Sequence, residues 1–258
     1  MPAVRPVLEA TGISVSFGGV HAVVGVDLEV GEGRLVGLIG PNGAGKTTFI
    51  DAIHGFVRSE GRVRLDGEDI TGLPPHARAR RGLARTWQSI ELFDDLSVGE
   101  NLLVASHRPS VWRTIGETVS VPGGGSAETA PVLELLRLGG AADAMPSELS
   151  QGQRKLVGVA RALAGKPRVL CLDEPAAGLD TQESAELGRL LRRLADDGQA
   201  MLLVDHDMGL VLGICDEVVV LEFGKVIARG PADHVRNDPR VVAAYLGGAA
   251  SRLEDRDG

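Results

Sequence analysis

The sequence predicts an α/β fold around a mostly parallel sheet, and three runs carry that expectation. RLVGLIG at 34–40, RVLCLDE at 168–174 and AMLLVDH at 200–206 are continuously apolar before they end in glycine, acid or histidine. Strands that are apolar at every position are covered on both faces, and strands separated by helical stretches pair in parallel.

The elements follow in order. Residues 7–30 hold short β-rich pieces, VLEATGISVSF and VGVDLEV, which predict an antiparallel β portion that the final strands are expected to join. The apolar strand at 34–40 runs into GPNGAGKTT, with a helix from about Gly45. GRVRLDG at 61–67 reads as a strand, and residues from about 72 to 85 as a short helix. Its arginines, Arg78, Arg80, Arg81 and Arg85, are expected on a solvated face, with contact to an acidic partner surface as the competing reading. ARTWQ then reads as a strand ending at a loop.

From about 97 to 165 the pattern is helical, interrupted by a loop at Val121–Ser126 whose composition is proline and glycine. Leu156, Val159, Ala160 and Leu163 make one apolar stripe at helical spacing, and Leu187, Leu190, Leu191 and Leu194 another. EVVVLEF and KVIARG form a hairpin around Gly224, followed by an amphipathic helix with Val241, Val242, Tyr245 and Leu246. One domain over 1–250 is expected, with a helical insertion at roughly 89–155 and a frayed tail at 251–258.

Composition narrows the function. The chain has 258 residues, 43% of them hydrophobic, enough for one substantial core. Its formal net charge of -8 argues against nucleic acid as a partner, since such binders show a basic footprint. No apolar stretch approaches the roughly 18 residues of a membrane span, and MPAVRPVLEA has no apolar signal core. The chain therefore reads as cytoplasmic. Cys171 and Cys215 lie in or beside apolar runs without CxxC spacing and read as small buried hydrophobes.

Three motifs carry chemistry. Gly40, Pro41, Asn42, Gly43, Ala44, Gly45, Lys46 and Thr47, followed by Thr48, fit the phosphate-binding loop. In that loop backbone N–H groups cradle phosphates, Lys46 reaches the outer phosphates and the Thr47 hydroxyl takes Mg²⁺. A glycine turn with a chance lysine would lack the strand before it and the helix after it. Asp173 and Glu174 end a buried strand, where Asp173 can hold Mg²⁺ and Glu174 can stand beside the water that attacks the γ-phosphate. A helix start at Pro175 is the competing reading of those acids, and it loses once a phosphate loop is present. Leu149-Ser150-Gln151-Gly152-Gln153 places Ser150 and the Gly152 N–H at a helix N-terminus, an ordinary cap and also an anion site.

With LSQGQ at 149–153 in place of LSGGQ, and these motifs in the same order, the chain resembles the ABC ATPases over essentially its whole length. The resemblance implies further roles. Gln88 would be the loop glutamine that touches Mg²⁺ and water and communicates with the membrane subunit. His206 would contact the γ-phosphate, Asp180 would lie at the subunit interface, and Phe17 would stack on adenine, with core packing as its competing reading. It also implies a dimer in which Ser150 and Gly152 serve the partner's ATP. Glu174 is then the general base, Lys46 and His206 meet the developing γ-phosphate charge, and Mg²⁺ is held by Thr47, Gln88 and Asp173. Gln151 departs from the usual glycine and adds a side chain beside the phosphate-contacting groups.

The stretches GLARTWQSIELFDDLSVGENLLVA, FGGVHAV and VRNDPRVVAAYLGG look like the larger ATPase subunit of branched-chain amino acid importers. That likeness implies an unlike ATPase subunit as partner, membrane-spanning permease subunits and, indirectly, a solute-binding protein. It places the chain on the cytoplasmic face of the plasma membrane. Urea or amide import, lipopolysaccharide export and a nucleotide-gated module without turnover are the alternatives. Glu174, Gln88 and His206 together argue for hydrolysis.

Overall fold

The structure, a computed structural model, describes residues 5–87, 92–106 and 125–245. In chain order its strands are β1 (Pro6–Phe17), β2 (Val20–Gly31), β3 (Leu35–Ile39), β4 (Glu60–Leu65) and β5 (Glu68–Asp69). They continue with β6 (Leu83–Arg85), β7 (Val169–Asp173), β8 (Ala200–Val204), β9 (Glu217–Glu222) and β10 (Lys225–Gly230). The helices are α1 (Lys46–His54), α2 (Pro75–Arg80), α3 (Val98–Ser106), α4 (Gly125–Leu135) and α5 (Gln151–Ala164). α6 (Thr181–Asp196), α7 (Met208–Ile214) and α8 (Ala232–Arg236) follow, and a last helix, α9, covers 239–245.

Two sheets organise them. β2-β1-β4-β5 is antiparallel, and β10-β9-β3-β8-β7-β6 is parallel except for its last strand, β10, which pairs antiparallel with β9. The final hairpin therefore extends the parallel sheet and does not join the antiparallel one, contrary to the expectation from sequence. Its valines decide this: Val218, Val219 and Val220 are all fully buried, which an outlying antiparallel strand with one wet face would not allow.

The parallel sheet is the middle layer of three. Leu35, Ile39, Leu170, Leu172, Met201 and Leu203 face a core shared with α5, α6 and α7. Val36, Leu38, Val169, Cys171, Leu202 and Val204 face the opposite core, shared with α1 and the antiparallel sheet. Alternate residues thus enter different cores, which is why the sequence is apolar without a break. Each such side chain contributes about 1.5–3 kcal/mol by burial.

The arginines correct a second expectation. Arg80 and Arg81 are exposed, but Arg78 is buried, and its guanidinium donates to the carbonyls of Ala52, Ile53, Thr71 and Leu73. Arg78 closes the end of α1, whose last carbonyls have no partner within the helix. Arg85 also points inward. Gly125 and Ser126 belong to α4 and not to a loop, and the rest of the expected loop lies outside the described residues, as do Leu246 and the tail. Among the described residues no helix is long and apolar enough to cross a membrane.

Candidate functional site

β3 is the phosphate loop's strand, and it sits between β8 and β9. Its carboxyl end opens at residues 40–45, and α1 begins at Lys46 with Gly45 left-handed at φ 102 and no side-chain cap. The first N–H groups of α1 consequently have no partner within the helix and face outward at a positive helix end. Two glycines are required here. A Cβ on Gly40 would stand 2.1 Å from the Leu221 carbonyl oxygen, and one on Gly45 would stand 2.4 Å from that of Ala22.

The Lys46 ammonium folds over the loop and donates to the carbonyls of Gly40 and Pro41 at 2.8 and 3.2 Å. Burial lowers its pKa, and the carboxylates of Glu174, Asp173 and Asp205 oppose that shift. The loop thus joins the N-terminal N–H groups of α1 to one cation, a combination whose chemistry suits an anion.

β7 and β8 deliver the acids to the same sheet edge. Asp173 is 4% exposed, and burial pushes its carboxyl up against the opposing pull of the Arg85 guanidinium, which donates to it at 2.7 Å. Glu174 follows in the left-handed region at φ 47, with its N–H donated to the Val204 carbonyl at 2.7 Å. A non-glycine residue there is uncommon and is held only by its surroundings. His206 Nδ1 lies 3.8 Å from Glu174 Oε2 and 3.6 Å from Asp205 Oδ1.

Asp205 was not legible as a site residue, yet it is fully buried and accepts the N–H groups of Ala176, His206 and Asp207. It binds the turn after Glu174 to the turn that carries His206. The acid two residues before another acid in VDHD was the available signal. Lys155 of α5 was also missed. Its ammonium donates to the Glu174 carbonyl at 3.4 Å, and burial lowers its pKa.

Residues Gly40 to Thr48, Glu174 and His206 line one open cleft of about 810 Å³ together with Ala22 and Tyr245. Tyr245 comes from α9 and was read from sequence only as part of an apolar stripe. Burial pushes its phenol up to about 12. Phe17 does not line the cleft. It ends β1 with 54% exposure, so it is not a core residue. Gln88 lies outside the described residues.

Ser150 and Gly152 are elsewhere. They line a second hollow with Leu179 and Glu183, and the two hollows share no residue. Ser150 caps α5, with its hydroxyl accepting from the Gln153 N–H at 3.2 Å and its N–H donated to Gln153 Oε1 at 2.9 Å. Asp180 caps α6 in the same reciprocal way with Glu183.

The donor chemistry fits a hard divalent cation. Thr47 and Asp173 offer oxygen from two elements at one end of the sheet, and magnesium is ordinarily held by one or two carboxylates plus substrate phosphates. Among the described residues there is no group of three or more His, Cys, Asp or Glu side chains placed to hold a metal ion.

The family profile described as ABC transporter matches residues 23–177, and the one described as Branched-chain amino acid ATP-binding cassette transporter matches residues 225–251. The chain is 41% identical to the high-affinity branched-chain amino acid transport ATP-binding protein BraF of Pseudomonas aeruginosa, over 95% of this chain and 99% of that protein. It is 38% identical to LivG of Escherichia coli, a protein of the same description, over 95% and 99%. Among solved structures, an ATP-binding cassette of an ABC transporter, MJ1267, superposes with a TM-score of 0.83 at 32% identity. It covers 94% of this chain and 99% of its own.

Proposed function

Because the chain belongs to the ABC transporter ATP-binding family, we propose that it drives uptake of branched-chain amino acids or related small solutes, paired with an unlike ATPase subunit. As an ABC ATPase it binds ATP, hydrolyses it and powers a membrane transporter, working as a dimer with permease components. Cargo, the unlike partner and a solute-binding protein upstream belong to the proposal. So does its place at the cytoplasmic face of the plasma membrane, held there by the permease. The match of residues 225–251 to the branched-chain profile supports the cargo. The domain reading is one nucleotide-binding domain over 1–250 with a helical subdomain at about 89–155.

One observation carries the site: the phosphate loop, Glu174 and His206 line the same cleft, at the carboxyl ends of β3, β7 and β8. Ligands of open parallel sheets bind at that edge. In this reading backbone N–H groups of residues 40–48 and the Lys46 ammonium hold the β- and γ-phosphates. Phe17, exposed at the end of β1, is the aromatic side chain proposed to take the adenine. Glu174 accepts the proton of the attacking water, and His206, fixed by Asp205, donates to a γ-phosphate oxygen. Thr47, Asp173 and Gln88 would hold Mg²⁺, which when bound neutralises charge on the phosphates.

Ser150 and Gly152 line a hollow that shares no residue with their own chain's cleft, which supports their service to a partner's nucleotide. Closure of two chains on two ATP molecules is then a shift of population towards the closed dimer.

Mg-dependent hydrolysis by the purified chain, measured against protein concentration with and without a co-expressed unlike ATPase subunit, tests this. Specific activity should rise with concentration or partner, and Glu174→Gln should lower turnover by about 10²–10⁴-fold while ATP still binds. Binding without turnover under every condition would refute the reading.

A further inference from the structure

Arg85 ends β6 and turns its guanidinium into the chain, where its side chain is 6% exposed. Nη1 donates to Asp51 Oδ1, and Nη2 donates to Asp173 Oδ2 at 2.7 Å. The two carboxylates come from different elements. Asp51 stands on α1 four residues after Thr47, and Asp173 closes β7. Residues four apart share one face of a helix, so the arm on Asp51 grips the face that presents Thr47.

A guanidinium is planar and sets its donors in a rigid fork. It therefore fixes the separation of the two acids, as a single ammonium could not. The fork is itself clamped. Its central carbon lies 4.7 Å from the Trp87 ring centroid, and Trp87 meets Phe56 edge-on at 5.3 Å. The Thr86 N–H donates to the Cys171 carbonyl at 2.9 Å, and the Asp173 N–H donates to Thr86 Oγ1 at 3.2 Å, so β6 and β7 end in register.

We propose that Arg85 is the positioning residue of the cation site: it sets the distance between the Thr47 and Asp173 oxygens and ties that distance to Trp87. Arg85 is not among the residues that line the cleft, and acts through Asp173 and through α1. The inference deepens the functional reading above and rests on its assignment of Thr47 and Asp173 to magnesium.

Arg85→Lys keeps the charge and removes the fork. Manganese binding to the purified chain with ATP, followed by electron paramagnetic resonance, is compared with ATP affinity in EDTA. Manganese affinity should fall by about tenfold or more, the usual cost of disturbing a group that orients a metal ligand, while metal-free ATP affinity stays within about twofold. The magnesium concentration that half-saturates hydrolysis should rise in parallel. Unchanged metal affinity, or equal losses with and without metal, overturns the inference. A wild-type chain that takes up no manganese with ATP overturns the site reading instead, a distinct result. If Arg85→Lys does not fold, Asp51→Ala removes one arm and leaves Asp173 paired, and the same comparison decides.

Discussion

The side-chain nitrogen of Gln151 lies 2.8 Å from where a Cβ on Gly178 would stand, so the carboxamide at the start of α5 rests on the bare Cα of the loop that follows Glu174. Gly178 is left-handed at φ 77, and the next helix of that loop is capped by Asp180. The residue that departs from the family's glycine is thus the one that touches this loop.

Gly178→Ala should destabilise the chain by about 1–2 kcal/mol from backbone strain alone. Displacement of Gln151 adds to that. In a double-mutant cycle with Gln151→Gly, urea unfolding should show a coupling of at least about 0.5 kcal/mol. Strictly additive values would mean that the carboxamide merely lies nearby.

Arg78 and Arg80 sit on one short helix and should behave differently. Arg78→Ala leaves four backbone carbonyls short of a charged donor and should cost about 3 kcal/mol in chemical denaturation. Arg80→Ala, on the exposed face, should stay within about 0.5 kcal/mol of the parent.

His54 gives the chain a dependence on acid. Its ring is buried, with Nδ1 on the Ile50 carbonyl at 2.9 Å, and burial, reinforced by the Arg85 and Arg78 cations, lowers its pKa from 6.5 to about 4. The unfolded chain takes up this proton first as pH falls, so the contribution is whole above 6.5 and drains away towards pH 4. At pH 5 the loss should reach about 2 kcal/mol. His54→Gln should remove that share of the difference between urea unfolding at pH 7 and at pH 5.

Both cysteines should be silent in the folded chain. Burial pushes the Cys171 and Cys215 thiols up to about 12, which leaves almost no thiolate at neutral pH. Iodoacetamide near pH 8 should label neither until urea unfolds the protein, as mass spectrometry would record.

What the sequence disclosed depended on distance along the chain. The phosphate loop, the Asp173-Glu174 pair and the α5 cap are each written within a few neighbouring residues, and so are the apolar runs of the sheet. Arg85 could not be read the same way, because its partners stand 34 and 88 residues away and an arginine run looks the same whether solvated or buried. Asp205 and Tyr245 were hidden for a similar reason: one reaches the Ala176 N–H of a turn 29 residues away, the other comes from a helix at the far end of the chain. The final hairpin was misplaced because a hairpin signal says which strands pair with each other and nothing about which sheet receives them.

The central strand also sets an order of events during synthesis. Leu35 pairs with Met201, and Val36 with Glu217, so β3 leaves the ribosome long before either of its neighbours exists. Contacts this distant in sequence form slowly. Until β8 and β9 emerge, the loop at 40–45 lacks both strands that flank β3 and the Leu221 carbonyl against which Gly40 packs, so a nascent or C-terminally truncated chain ending before β9 should carry the complete phosphate motif with a weakened grip on a nucleotide.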